Sequence, residues 1–116
     1  MDLEKYKPQI LEIIFQKIEP ESCLVFLFGS YATGEAIQSS DIDLGILCKN
    51  KINPKTFVEL QEDLEIKISF LRKIDLVDFS DISEKVKKEA LKEIQLWHLG
   101  KNCRELLSDL KIVQQN

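Results

Sequence analysis

The sequence is short of most features that mark a specialised chain. Its three cysteines, at positions 23, 48 and 103, are an odd number with no CxxC or Cys/His spacing, so neither a disulfide nor structural zinc is expected. The one histidine, His98, has no evident triad partner, and no Gly-x-Ser-x-Gly elbow surrounds Ser30, which sets serine nucleophile chemistry aside. His98 beside Trp97 reads instead as a structural pair or an interface feature. Four glycines and three prolines in 116 residues leave no room for a long disordered stretch. The longest apolar run, Cys23 to Phe28, falls far below the ~20 residues that cross a bilayer, and the N-terminus is charged and amphipathic, without the apolar core of a signal peptide. A cytoplasmic chain with no membrane partner is the expectation. Basic residues are in deficit too, 16 against 20 acidic for a net charge of −4, which argues against generic nucleic-acid binding because that requires a basic face.

What is present is an ordinary globular composition, enough for one hydrophobic core and a single domain over residues 1–116. Leu3, Tyr6, Ile10, Ile14 and Ile18 recur at helical spacing until Pro20 stops the pattern. Cys23–Phe28 is a short apolar run of strand formers closed by Gly29-Ser30. Residues 31–40 suit a loop or a short helix followed by a turn. From Asp41 to Leu47 the chain alternates with period two, so that Asp41, Asp43 and Gly45 share one face and Ile42, Leu44 and Ile46 the other. The apolar side is the core side, and the acidic side faces a wet cleft.

Asn53-Pro54 is a helix-start pair, and Phe57, Leu60, Leu64, Ile68 and Leu71 then step by three or four residues. Ile74–Phe79 alternates again as a third strand with Asp75 near its start. Asp81-x-x-Glu84 resembles a capping box opening a helix through Val86, Ala90 and Leu91. Residues 94–99 fit a short fourth strand or a continuation of that helix, with the strand preferred, and Cys103, Leu106, Leu107 and Leu110 suggest a last helix.

The chemistry lies in the order of these parts. Two carboxylates at i and i+2 on a strand project to one side with α-carbons roughly 6.5 Å apart, close enough to converge on one or two metal ions. If the Asp75 strand pairs with the Asp41–Asp43 strand, a third carboxylate joins them. Three clustered carboxylates raise one another's pKa, and a divalent cation such as Mg2+ keeps them ionised. Gly29 permits a sharp turn and a close approach to phosphate, and Ser30 adds a hydroxyl and an N–H as donors. Two-metal phosphoryl chemistry on a nucleoside triphosphate follows.

Gly29-Ser30-Tyr31-Ala32-Thr33-Gly34, followed by Ser40-Asp41-Ile42-Asp43-Leu44, resembles the signature of the DNA polymerase β-like nucleotidyltransferase superfamily, and in particular its minimal bacterial and archaeal members. The resemblance covers the chain from the first helix through the Asp75 strand. It implies an α+β, two-layer fold like the polymerase β palm, a small mixed sheet of three to four strands with helices packed on one face. It implies that Gly29 and Ser30 bind the triphosphate of ATP or another nucleotide. Asp41, Asp43 and Asp75 would be the catalytic, metal-binding carboxylates for two Mg2+ ions, and Asp75 would also assist deprotonation of the acceptor hydroxyl. Asp78 competes for the third place but falls on the other face of an ideal strand. One departure stands out: where members often carry Arg after Tyr-Ala, this chain has Thr33, removing a cation that would sit near phosphate.

Similar minimal proteins pair with a helical HEPN-type protein and act as antitoxins by transferring AMP to a tyrosine of that partner. A non-catalytic antitoxin that acts by covering its partner is the alternative favoured by Thr33. A small-molecule (antibiotic) nucleotidyltransferase is a third, disfavoured by the missing helical domain. A homo-oligomer is compatible with any of these.

Overall fold

The apolar periodicity places Ile10, Ile13 and Ile14 on one side of a helix and Leu60 and Leu64 on one side of another, and all five are buried against a sheet. The computed structural model describes residues 3–68 and 73–108. Helix α1 (Leu3–Phe15) leads through a short 3-10 turn (Pro20–Ser22) into β1 (Cys23–Phe28). The one-turn helix α2 (Ser30–Thr33), β2 (Ile42–Cys48), α3 (Pro54–Lys67) and β3 (Ile74–Asp78) follow, and α4 (Glu84–Ala90) and β4 (Gln95–Leu99) come last. Residues 104–108 are helical, and the expected contribution of Leu110 to that helix, like that of Leu71 to α3, falls outside the described residues.

The strands form one sheet in the order β3-β2-β1-β4. β1 is antiparallel to both β2 and β4, whereas β3 runs parallel to β2, with α3 as the crossover that a parallel pair requires. The sheet is therefore mixed, as expected, and the preferred fourth strand is present at an edge. Helices α1 and α3 cover one face, where Val25, Leu27, Ile42, Leu44, Ile46 and Leu76 meet Ile10, Ile14, Leu60 and Leu64. The opposite face holds a smaller cluster of Leu24, Phe26, Leu47, Phe79, Leu91 and Cys103. This second face carries the acidic residues, so where its apolar cover stops decides where the cleft begins.

Several boundaries differ from the sequence pattern for local reasons. α1 ends at Phe15 rather than at Ile18, because the N–H groups of Gln16 and Lys17 bond back three residues to the carbonyls of Ile13 and Ile14 at 3.4 and 3.2 Å. Ile18 packs against the core from the turn that follows. Asn53 caps α3 as expected, its side chain accepting from the Lys55 N–H at 2.9 Å. α4 is capped by Ser83, which accepts from the Val86 N–H at 3.3 Å, while Asp81 instead pairs with Lys51 at 3.0 Å. Val86 consequently points outward, 55% exposed, and Leu91 is the buried anchor.

The cysteine expectation is corrected. Cys23 and Cys48 are joined by a disulfide, with α-carbons 4.0 Å apart, and only Cys103 is free. The antiparallel register sets the first residue of β1 directly opposite the last of β2. A proximity created by strand pairing has no signature in local cysteine spacing.

In β4 the register against β1 jumps from Val25–His98 to Phe26–Leu96, leaving Trp97 as the extra residue of a bulge. Its ring is buried in the α1/α3 core under the Lys7 ammonium, 5.8 Å from the ring centre.

Candidate active site

The second face of the sheet is built by alternation. It receives Phe26 and Phe28 from β1, Asp43 and Gly45 from β2, and Asp75 and Val77 from β3, with Phe79 just beyond. A side chain on Gly45 would overlap the rings of Phe26 and Phe79. The missing Cβ is therefore filled by aromatic carbon, with Phe26–Phe79 and Phe28–Phe79 centroids 4.7 and 5.1 Å apart in edge-on packing. Moving along β2 from Gly45 to Asp43, this aromatic plug ends and the acidic patch begins.

Asp43 is the hub of that patch. Its register partners are Phe28 on β1 and Asp75 on β3, and Asp41 lies two residues before it on the same side. Gly29 closes over it, because a Cβ on Gly29 would collide with the Asp43 carboxylate. The Gly29 backbone has φ 71° and ψ −154°, a region open essentially to glycine alone. The turn thus leaves β1, passes Asp43 at van der Waals distance and starts α2, with the Gly29 carbonyl accepting from the N–H groups of Ala32 and Thr33 at 3.0 and 3.2 Å.

The electrostatics follow from this enclosure. Burial pushes the Asp43 carboxyl above the usual carboxylate range, and the neighbouring charges of Asp75 and then Asp41 push it further. Asp41 and Asp75 are exposed and Asp43 half-buried, so three negative charges gather with no cation among the causes acting on Asp43.

The fit of a divalent metal can be tested on these residues. Among the described residues, no three His, Cys, Asp or Glu side chains form a ready-made cage. Mg2+, however, is ordinarily held by one or two carboxylates together with substrate phosphates and water. An all-oxygen donor set of uncompensated charge beside a glycine turn suits that mode.

Asp78 stands apart, opposite Ile46 in register, with one carboxylate oxygen accepting from the Ser80 N–H and hydroxyl at 3.0 and 2.8 Å. His98 is also remote from the patch. Its Nε2 donates to the Pro20 carbonyl at 2.7 Å and its ring packs on Phe15 at 4.5 Å, making it a structural residue.

Beyond the Gly29 turn opens a cleft of about 580 Å³ between Phe28, Thr33 and Glu35 on one side and α4 with its following turn on the other. The Thr33 hydroxyl donates to the Ser30 carbonyl at 3.3 Å. Among the described residues, Lys92 is the one cation lining the cleft, and it pairs with Glu89 at 2.9 Å. One residue absent from the sequence reading borders the patch: the Gln61 side chain, on α3, bonds the β3 backbone on both sides of Asp75. No motif marks it, because its role depends on the helix packing along a strand edge.

A mixed sheet carrying an Asp-x-Asp strand beside a glycine turn, with a third aspartate in parallel register, is a nucleotidyltransferase arrangement, and the chain belongs to that class by sequence. Residues 9–98 match the polymerase beta nucleotidyltransferase family, of which this protein is a member. Among individual proteins it is similar to the protein adenylyltransferase MntA of Thermococcus cleftensis, 34% identical over 68 residues covering 59% of this chain and 67% of the relative. The fold is shared with a toxin-antitoxin complex crystallised with AMP-PNP (TM-score 0.70, 22% identity, 94% of this chain and 81% of the other). It is shared too with a complex of a tri-AMPylated Shewanella oneidensis HEPN toxin and its MNT antitoxin (TM-score 0.67, 21% identity, 97% and 89% covered).

Proposed function

We propose that this protein is a cytoplasmic, single-domain antitoxin that transfers AMP from ATP to a hydroxyl of its partner, a tyrosine on a helical HEPN-type toxin. The observation that carries the reading is the placement of Asp75 beside Asp43 in the β2–β3 register, under a glycine turn that leaves no room for a side chain. The adenylyltransferase MntA relative and the AMPylated toxin in a complex of the same fold supply the donor and acceptor classes.

In this reading the Gly29 turn brings main-chain N–H groups and the Ser30 hydroxyl to the triphosphate. Asp43 projects from β2, and Asp41 from the residue just before it, toward the reacting phosphate; Asp75 completes the ligand set and receives the acceptor proton as the hydroxyl oxygen bonds the α-phosphorus and pyrophosphate leaves. Asp41, Asp43 and Asp75 would hold Mg2+, which when bound would neutralise charge on the triphosphate and make the acceptor hydroxyl a better nucleophile. The aromatic plug of Phe26, Phe28 and Phe79 fixes the sheet surface from which Asp43 projects and keeps water from one side of it.

Incubation with the partner toxin, labelled ATP and Mg2+ tests the proposal. Label on the toxin that disappears with Asp43→Asn supports transfer. A toxin neutralised equally well by Asp43→Asn without label favours the non-catalytic reading, to which Thr33, folded back on Ser30, lends support.

A further inference from the structure

β3 is an edge strand: its inner side bonds to β2 in parallel, and among the described residues no strand lies on its outer side. Residues 73 and 79 meet β2, with the Ile42 N–H on the Lys73 carbonyl at 2.8 Å and the Phe79 N–H on the Ile46 carbonyl at 3.0 Å. By the alternation of a parallel ladder, residues 74 and 76 present their peptide groups outward. There the half-buried Gln61 of α3 takes the place of a neighbouring strand. Its Nε2 donates to the Ile74 carbonyl at 2.8 Å, and its Oε1 accepts from the Leu76 N–H at 3.1 Å.

These two groups belong to the two peptide planes that flank the Asp75 α-carbon. A residue has only two soft backbone torsions, each a rotation between the α-carbon and one of those planes. One side-chain amide therefore restrains both torsions of Asp75 from outside while the ladder to β2 restrains them from inside. The direction of the Asp75 side chain is set by the backbone so held.

We infer that Gln61 is a positioning residue for the active site: by clamping the peptide groups on either side of Asp75, it aims the third carboxylate at the metal site shared with Asp43. The inference rests on the metal-dependent reading above. It predicts that losing the clamp weakens the site more than it weakens the fold, because Leu60 and Leu64 still anchor α3 and Ile74 and Leu76 still anchor β3 in the core.

The test uses the full chain and Mn2+ alone as probe, read by electron paramagnetic resonance. Gln61→Met removes both hydrogen bonds at similar side-chain length, Gln61→Glu keeps only an acceptor for Leu76, and Ile13→Val is a mild core control in α1. Expected for Gln61→Met is a loss of Mn2+ affinity of about tenfold or more, as for residues that orient metal ligands. Gln61→Glu should fall between it and the parent, and Ile13→Val should stay within about twofold even at an equal drop in Tm. Mn2+ affinity unchanged in Gln61→Met would overturn the inference. If the parent chain binds no Mn2+ even with a non-hydrolysable ATP analogue added to supply the phosphates, the metal reading itself fails. The three-bond HN–Hα coupling of Asp75 then decides the clamp alone: a value unchanged in Gln61→Met refutes it, and one shifted toward averaging supports it.

Discussion

The two ends of the β1–β2 ladder are built to opposite purposes. At one end Cys23 and Cys48 face each other and are covalently joined. At the other Phe28 faces Asp43, a carboxyl forced toward its neutral form by burial and by two like charges, beneath a glycine in a conformation few other residues adopt. Four residues of β1 lie between a fastening and the candidate site, where like charges and a strained turn cost stability. The contrast teaches that the acidic end keeps its strained arrangement because the rest of the ladder, with both faces packed, is over-determined.

The largest effect expected at the acidic end is catalytic. Asp43→Asn should lower AMP transfer at least about 100-fold, the loss of several kcal/mol of transition-state stabilisation, while circular dichroism shows a folded chain. An Asp43→Asn protein within about twofold of the parent would mean that the conspicuous end is not the working one. At the fastened end, reducing the Cys23–Cys48 bond releases a loop with a sequence separation of 25, and chain entropy sets the cost at ~3 kcal/mol. Denaturant titration with and without reductant measures it. Transfer activity of the reduced protein below its unfolding transition should stay near the oxidised value, and a large drop would show that the two ends are coupled.

Gly29→Ala crosses the divide. It should cost about 1–3 kcal/mol of stability through its positive φ and its overlap with Asp43, and it should lower nucleotide affinity. A variant with unchanged Tm and full activity would remove the glycine turn from the site. The smallest effect is the pH dependence of the metal-free protein. Because the folded Asp43 pKa lies above the ordinary 3.8, the folded state binds more protons than the unfolded state between those two values. Stability is therefore gained as pH falls through that window and lost as it rises. Asp43→Asn should abolish this slope and raise the Tm at neutral pH by about 2 °C, a modest figure for a partly exposed and screened group. Saturating Mg2+ should also remove the slope, by keeping the carboxylate ionised in the folded state.

Much of this was legible in the residues themselves. Alternation alone divided Asp41, Asp43 and Gly45 from Ile42, Leu44 and Ile46, and Asn53-Pro54 marked the start of α3 correctly. Non-local register was not legible. That Asp75 lies opposite Asp43 and Cys23 opposite Cys48 depends on how strands distant in sequence align, and the disulfide was missed on that account. The plug around Gly45 was hidden for a related reason, since a glycine in a strand does not say which rings will fill its place. Ser83 displaced Asp81 as the cap of α4 because the two offer the same chemistry two residues apart, and the pairing of Asp81 with Lys51 decides between them.

The parallel placement of β3 also bears on when the chain becomes competent during synthesis. β1 and β2 can pair once residue 48 is available, but Asp75 reaches its neighbour only after the whole α3 crossover has formed and docked, a non-local step of the kind that slows folding. A nascent chain therefore displays Asp41 and Asp43 well before it has a third carboxylate. On the proposed reading, the site is complete only once that one late strand has arrived.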